Sequence, residues 1–349
     1  MVETLQTRPL LTLAIPTYKR FAELEQLLTL LEPQLHAHPE VDLYLSDNAS
    51  PDNTPALVQS FLARGMRIRY HRHPENIGAD ANFVSCFHAA RGTYFWLFGD
   101  DDLILPGSID EILQHLSAAQ SALDIVYVTS YGFQQDYLAE RHGDPLQRRF
   151  HTITSPMQLA RVVNIMFTFI SGIIVNRDRL LDLPRAEGLA VEDPAAYHPT
   201  HLTQLSWILP LLRAHRRSLV LWGRPIAGRQ GNSGGYSVGQ VFGERLVDAC
   251  SRLLPDRPRL AHAITDFAIR RWFPNAIYEI RRSGSMGYRL EEAQAALEKT
   301  YGDNFRYWLF AYPVLKLPLP LAGLWVKAGI AVSKLTYMAL VPGFWRKQT

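Results

Sequence analysis

Through the first half of the chain, short apolar runs alternate with longer stretches in which apolar residues recur every third or fourth position. Residues 10–15, 41–45, 68–71 and 94–98 read as strands, and residues 21–35, 55–64 and 81–90 between them as amphipathic helices. Residues 125–129 and 170–175 read as two further strands. Strands and helices in alternation call for βαβ units and a largely parallel sheet. The second half turns mostly helical, over residues 200–214, 241–254, 260–282 and 290–301. The glycine-rich polar stretch 229–237 interrupts it and predicts a mobile loop.

The strand at 94–98 runs directly into Gly99-Asp100-Asp101-Asp102. Adjacent carboxylates repel and raise one another's pKa, so the cluster is costly unless a cation sits there. Hard ions such as Mg²⁺ or Mn²⁺ take one or two carboxylates and complete their shell with phosphate oxygens. Ligands of open α/β sheets bind outside the carboxyl ends of the strands, where these aspartates lie. The cluster therefore points to a metal–diphosphate site. Its plainer role is a solvated turn capping the helix that Pro106-Gly107-Ser108 introduces.

The other strand ends carry Thr17 and Arg20, Asp47 and Asn48, then Asn76 and Gly78. Asp47 suits a hydrogen bond to a base or ribose, and Gly78 permits close backbone approach. Each also has a local role: Asp47-Asn48 as a side-chain-closed turn, Asn76 as a helix cap, Arg20 as a solvated helix face. Convergence of four strand ends on one rim favours a shared cleft. No G-x-G-x-x-G follows a strand and no G-x-x-x-x-G-K-[ST] occurs, so a bridging metal becomes the means of holding a diphosphate.

Composition narrows the class. With 349 residues, 47% apolar and 20% charged, the chain is globular and long enough for a large α/β domain with an appendage. A formal charge of +3 gives no sign of nucleic-acid binding. Two isolated cysteines, Cys86 and Cys250, suit free thiols in a reducing compartment, and the N-terminus lacks a signal-peptide core. The catalytic part is therefore expected in the cytoplasm. After Asp303 no acidic residue occurs, whereas Arg306, Lys316, Lys327, Lys334, Arg346 and Lys347 stand among Leu, Ala, Val, Trp and Tyr. Residues 321–340 are long enough to span a bilayer, but Lys327 and Lys334, spaced by seven, suit a helix lying on an anionic membrane surface.

The segments Ile15-Pro16-Thr17-Tyr18-Lys19-Arg20, Ser46-Asp47-Asn48-Ala49-Ser50, Asn76-Ile77-Gly78 and Gly99-Asp100-Asp101-Asp102 together resemble the GT-A glycosyltransferases of family 2. The resemblance spans about residues 10–222 and is strongest to bacterial enzymes of O-antigen and capsule assembly, the abequosyltransferase-like group. It implies a GT-A, Rossmann-like nucleotide-sugar-binding sheet with helices on both faces and a helical C-terminal extension. The implied domains are 1–240 catalytic, 241–303 helical and packed on it, and 304–349 a basic apolar membrane-associating tail. It implies transfer of a sugar, with inversion, from a nucleotide-sugar to a lipid-linked saccharide at the cytoplasmic face of the bacterial inner membrane. Donor contacts fall on Pro16, Thr17, Tyr18, Arg20, Asp47, Asn48, Asn76, Gly78, Asp100 and Arg229. Asp101 and Asp102 would take Mg²⁺ or Mn²⁺.

Two departures stand out. Gly99 occupies the place of the first Asp in the family's D-x-D-D. The Glu-Asp pair that usually supplies the base has a literal match in Glu192-Asp193, but that pair precedes Pro194 and Pro199 instead of opening a helix. Counting back from Arg217-Ser218-Leu219-Val220 puts the expected position near Gln204, with His201 one turn earlier. His201 and then Asp193 are the candidate bases, although His201 would equally serve as a helix cap or core residue. Competing classes are a nucleotidyltransferase that makes nucleotide-sugars, for which a glycine-rich basic N-terminal loop is missing, and a non-catalytic glycan- or lipid-binding protein on the same scaffold.

Overall fold

A computed structural model describes residues 8–119, 122–141, 150–183, 200–231, 236–283, 290 and 293–340, with side chains as far as residue 332. The chain forms two compact units, residues 1–155 with 166–230, and residues 156–165 with 231–349.

The first unit is built on a nine-stranded sheet. Its strands are β1 (Leu11–Thr17), β2 (Val41–Asp47), β3 (Ile68–Arg72), β4 (Tyr94–Leu97), β5 (Leu103–Ile104), β6 (Ile125–Phe133), β7 (Phe150–Ile153), β8 (Ile173–Asn176) and β9 (Ser218–Arg229). They order as β3-β2-β1-β4-β8-β6-β9-β5, with β7 pairing β9. The first four are mutually parallel, as the alternation requires. Beyond β4 the sheet is mixed: β8 runs antiparallel to β4 and β6, and β5 and β7 antiparallel to β9. The expectation of a largely parallel sheet thus holds for one half only. Residues 170–172, read as strand, are a 3-10 turn, and β8 begins at Ile173.

Helices cover both faces. On one face α1 (Phe21–His36) buries Leu24, Leu27, Leu28, Leu31 and Leu35, a stripe at helical spacing. With α2 (Thr54–Ala63) and α4 (Ser108–Ala118) it closes a core over Leu13, Ile15, Leu43, Leu45, Trp96 and Phe98. On the other face Phe87 of α3 (Ala79–Ala89) stacks 5.0 Å from Trp207 of α7 (Leu205–Arg213), and Phe95 of β4 meets both rings edge-on. Burying rings of this size contributes roughly 1.5–3 kcal/mol each. The short α6 (Arg177–Leu181) follows β8 and is capped by Asn176, whose side chain accepts the Arg179 N–H.

The periodicity revealed neither the short β5 and β7 nor the long β9. Its pairing with β6 shifts register between Val128 and Ser130, and Arg224 sits at φ 51°, so the strand bends midway. The bend carries residues 225–229 alongside β5, immediately after the aspartates. Arg229 is accordingly the last residue of a strand, not part of a loop; of the predicted loop, residues 232–235 lie outside the described residues.

The second unit is helical: α5 (Pro156–Val163), α8 (Leu246–Leu253), α9 (Pro258–Phe267), α10 (Phe273–Ser283), α11 (Ala293–Tyr301), α12 (Tyr312–Lys316) and α13 (Leu319–Leu340), with π-type turns at Gly239–Arg245, Ala268–Trp272 and Tyr307–Ala311. Small residues set its closest approaches. A Cβ on Gly239 would stand 2.7 Å from Ala293 Cα, and one on Gly323 would stand 2.8 Å from the Tyr278 hydroxyl oxygen. Among the described residues, no helix is long and apolar enough to cross a membrane.

Candidate active site

The carboxyl ends of β1, β2 and β4 meet at one rim because the three strands are parallel neighbours. At the end of β4 stand Asp100 and Asp102, both buried, with the partly exposed Asp101 between them. Arg20, which precedes α1, places its guanidinium Nη1 3.1 Å from Asp100 Oδ1 and 2.5 Å from Asp101 Oδ2. Burial lowers the Arg20 pKa, but Asp100 and Asp101 more than offset this and hold it above its ordinary value. Thr17, at the end of β1, turns its buried side chain to Asp100.

Asp102 is held on two sides. Its Oδ1 accepts the Arg229 backbone N–H at 2.9 Å, and its Oδ2 accepts the Ser171 hydroxyl. Ser171 Oγ also accepts the Gly99 N–H at 2.9 Å, and the Trp96 indole donates to the Ser171 carbonyl at 2.8 Å. The antiparallel direction of β8 makes this possible, since it brings the start of that strand to the end of β4. The Arg229 side chain donates from Nε to the Asp101 carbonyl at 3.3 Å and from Nη2 to Gln26 Oε1 at 2.7 Å, and lies over the Phe133 ring. Arg229 therefore stands beside the aspartates in the structure described.

The electrostatics show how costly it is to ionise the rim. Burial, with Asp101 and Glu23 adding repulsion, pushes Asp100 up to about 7 despite Arg20 and Thr17. Burial, then Asp101 and Asp100, push Asp102 up to about 8 against the Ser171 and Arg229 hydrogen bonds. One guanidinium leaves the pair under-compensated, the situation a bound cation would relieve.

Gly99 supplies a geometric test. A Cβ built there would lie 3.1 Å from Asp101 Oδ1, 3.2 Å from Asp102 Oδ2 and 3.3 Å from Ser171 Oγ. Two carboxylate oxygens thus crowd the same side of Gly99, so closely that a side chain there would displace them. Among the described residues no cluster of three or more His, Cys, Asp or Glu side chains could hold an ion by itself. Two carboxylates completed by substrate phosphate oxygens fit Mg²⁺ or Mn²⁺ chemistry.

The remaining sequence candidates form a second layer. Asp47 is fully buried and its carboxylate is occupied within the protein: Ser50 N–H donates to Oδ1 at 2.8 Å, the Tyr70 hydroxyl donates to Oδ2 at 2.7 Å, and Arg72 lies 3.4 Å from Oδ2. Asn48 Nδ2 donates to Asn76 Oδ1 at 2.9 Å and to the Gly78 carbonyl, while its Oδ1 accepts the Ile77 N–H. Asn76 Oδ1 also accepts the Gly78 N–H, and Gly78 adopts φ 85°. Asp47 and Asn48 thus hold the turns that surround the rim, the local role open to them from the outset. Pro16 is buried in β1, and Tyr18 is 41% exposed at the edge. Lys19 and Ala49 both have positive φ, strain typical of functional loops.

His201 does not lie within a helix. It occupies an exposed turn ahead of α7 at φ 58°, and its N–H and that of Thr200 donate to Asp80 Oδ2 at 2.9 Å. Asp80 belongs to the first turn of α3, two residues after Gly78. Gln204 is buried and donates to the Thr168 carbonyl. Glu192 and Asp193 lie outside the described residues. Sequence reading missed Ser171, Tyr70, Asp80 and Gln26. Ser171 was detectable as a lone hydroxyl inside an apolar run; the other three carried no local signal.

The mixed sheet with its parallel βαβ units has the GT-A fold. Residues 12–181 match glycosyl transferase family 2, and this part of the chain is a domain of that family. Abequosyltransferase RfbV of Salmonella typhimurium is 28% identical over 179 residues, which cover 49% of this chain and 54% of that protein. An uncharacterized glycosyltransferase, the MG025 homolog of Mycoplasma pneumoniae, is 27% identical over 112 residues, covering 32% of this chain and 38% of that protein. The chain spans about half the length, or less, of these curated relatives. Among solved structures, residues 1–349 of S. aureus TarS in complex with UDP-GlcNAc align over 94% of this chain and 91% of that one, with TM-score 0.58 and 14% identity. Mannosyltransferase PcManGT from Pyrobaculum calidifontis, in complex with GDP-Man and Mn²⁺, aligns over 98% and 89%, with TM-score 0.51 and 15% identity. At such identities the structural likeness speaks for the fold alone.

Proposed function

We propose that the protein transfers a sugar, with inversion, from a nucleotide-sugar to a lipid-linked glycan acceptor in bacterial surface-polysaccharide synthesis. The observation that carries this reading is the convergence of Asp101 Oδ1 and Asp102 Oδ2 beside Gly99, flanked by Arg20 and Arg229, in a family 2 domain. Asp101 and Asp102 would hold Mg²⁺ or Mn²⁺, which when bound offsets charge on the departing diphosphate. Arg20 and Arg229 add fixed positive charge where that diphosphate forms. Thr17, Tyr18 and Asp100 line the donor side, and the Asn48–Asn76–Gly78 hydrogen bonds set the rim against which the nucleoside rests.

His201 is proposed as the base that takes the proton of the attacking acceptor hydroxyl, with Asp193 second. Its support is an exposed ring on a turn pinned to α3 by Asp80. The similarity to an abequosyltransferase supports a surface-polysaccharide acceptor, which a lipid carrier would bring to the cytoplasmic face of the inner membrane. The test is release of nucleoside diphosphate from a panel of nucleotide-sugars, with and without lipid-linked acceptor and with EDTA. Acceptor-dependent release with one donor, abolished by EDTA, is expected; no release from any donor would overturn the reading. His201→Ala should suppress turnover and flatten the acidic limb of the rate–pH profile. An unchanged profile would remove His201 from the role.

A further inference from the structure

We propose that the second unit carries a built membrane-docking surface, formed jointly by the Tyr307–Ala311 turn and α13, that seats the protein on anionic lipid. Twelve large hydrophobic side chains stand exposed among the described residues, and seven of them, Phe305, Trp308, Leu309, Leu321, Leu324, Trp325 and Val332, fall within residues 305–332. Soluble surfaces scatter such residues singly, so this concentration marks an interaction face. The two elements are joined by the Trp325 indole, which donates to the Leu309 carbonyl at 2.9 Å; the Trp308 indole donates to the Gly302 carbonyl at 2.7 Å. Each Trp therefore has its polar edge satisfied while its ring stays outside, the disposition favoured at a bilayer interface.

Helix α13 is packed on one side only. Ala322 and Val326 are buried, a Cβ on Gly323 would meet Tyr278, and one on Gly329 would meet Phe310. Leu321, Leu324, Trp325, Ala328 and Val332 point away from that packing. Lys327 is exposed on the flank between the two faces. A flanking lysine reaches headgroups while the apolar face enters the acyl boundary. Lys316 is also exposed, with its ammonium group 5.7 Å from the Tyr312 ring.

Charge selects the occupant. No acidic residue follows Asp303 to the end of the chain, so the Tyr307–Ala311 turn, α12 and α13 carry cationic charge only. Paired with the apolar face, that charge complements phosphatidylglycerol or cardiolipin headgroups over acyl chains. A lone helix on the membrane was the expectation from sequence; the structure adds Phe305, Trp308 and Leu309 from a separate turn. The purpose of the surface rests on the reading of a lipid-borne acceptor, but the readout below is independent of turnover.

The test is flotation of the full chain with phosphatidylcholine vesicles containing about 30% phosphatidylglycerol, against pure phosphatidylcholine. The variants are Trp308→Glu with Leu324→Glu, and Lys316→Glu with Lys327→Glu, checked by circular dichroism and thermal melting. Expected is flotation on the anionic vesicles that falls at least about tenfold for both variants, with folding unchanged. Trp308→Ser with Leu324→Ser serves if the glutamates disturb folding. Equal flotation of folded variants and parent would overturn the proposal. So would a stable dimer of the parent, in the absence of lipid, that the apolar variant converts to monomer, because the face would then belong to a second copy. Loss of turnover alone, with flotation intact, would count against the proposed function and not against the surface.

Discussion

Gly99→Ala isolates the geometry of the carboxylate pair, because Gly99 has no positive φ that would penalise a side chain. The new methyl group would meet three oxygens, Asp101 Oδ1, Asp102 Oδ2 and Ser171 Oγ, at 3.1, 3.2 and 3.3 Å. Ordinary contacts begin near 3.4 Å, so each oxygen must retreat by a few tenths of an ångström. Functional groups need to stay within about 0.5 Å of productive geometry, and a 1 Å error costs about a hundredfold. Scaled from that figure, shifts of this size predict a loss of roughly two- to fourfold in kcat/KM. Stability changes less, since overpacking of about 1–3 kcal/mol is partly offset by about 0.4–1 kcal/mol from the stiffer unfolded chain. The assay is nucleotide release under a Mn²⁺ titration, run beside a thermal melt. The variant should need more Mn²⁺ for half-maximal rate while melting within a few degrees of the parent. A parent-like Mn²⁺ curve and rate would refute the idea that these two oxygens share one cation.

Asp101→Asn and Asp102→Asn should each lower turnover at least on the order of a hundredfold, and full activity in excess EDTA would contradict a metal role. Metal-free protein should lose stability as pH rises from about 4 to about 8. Asp100 and Asp102 keep their protons to about 7 and about 8 when folded, whereas the unfolded chain releases them near 3.8, so the folded state binds more protons across that window. Melts at pH 5 and pH 8 would check this, and Mn²⁺ should raise the melting temperature more at the higher pH. Asn48→Ala removes the hydrogen bonds to Asn76, Ile77 and Gly78; it should raise the donor KM several-fold with a smaller change in kcat, and an unchanged KM would show that the turn holds itself.

The order of elements in the first 97 residues was legible because it is local. Alternating apolar runs and helical stripes predict β1 to β4 and α1 to α3 with ends displaced by only a few residues, and the aspartates follow a strand as expected. β9 was not legible, because its polar and glycine residues from Gly223 to Arg229 break the apolar run just where the strand bends to reach β5. His201 was expected on a helix, but the turn there is held by Asp80 from a distant helix, a bond with no local signature.

What the chain determined by itself was the set of chemical groups and the parallel half of the sheet, since both follow from short-range periodicity and from the residue types at strand ends. Tertiary structure alone decided how those groups are used. Antiparallel insertion of β8 brings Ser171 to Gly99 and Asp102, the bend in β9 delivers Arg229, and α1 supplies Gln26 to hold it. These contacts join positions 69 to 203 residues apart. No periodicity encodes them, because strand order beyond the local βαβ unit is set by which faces the whole core can bury together.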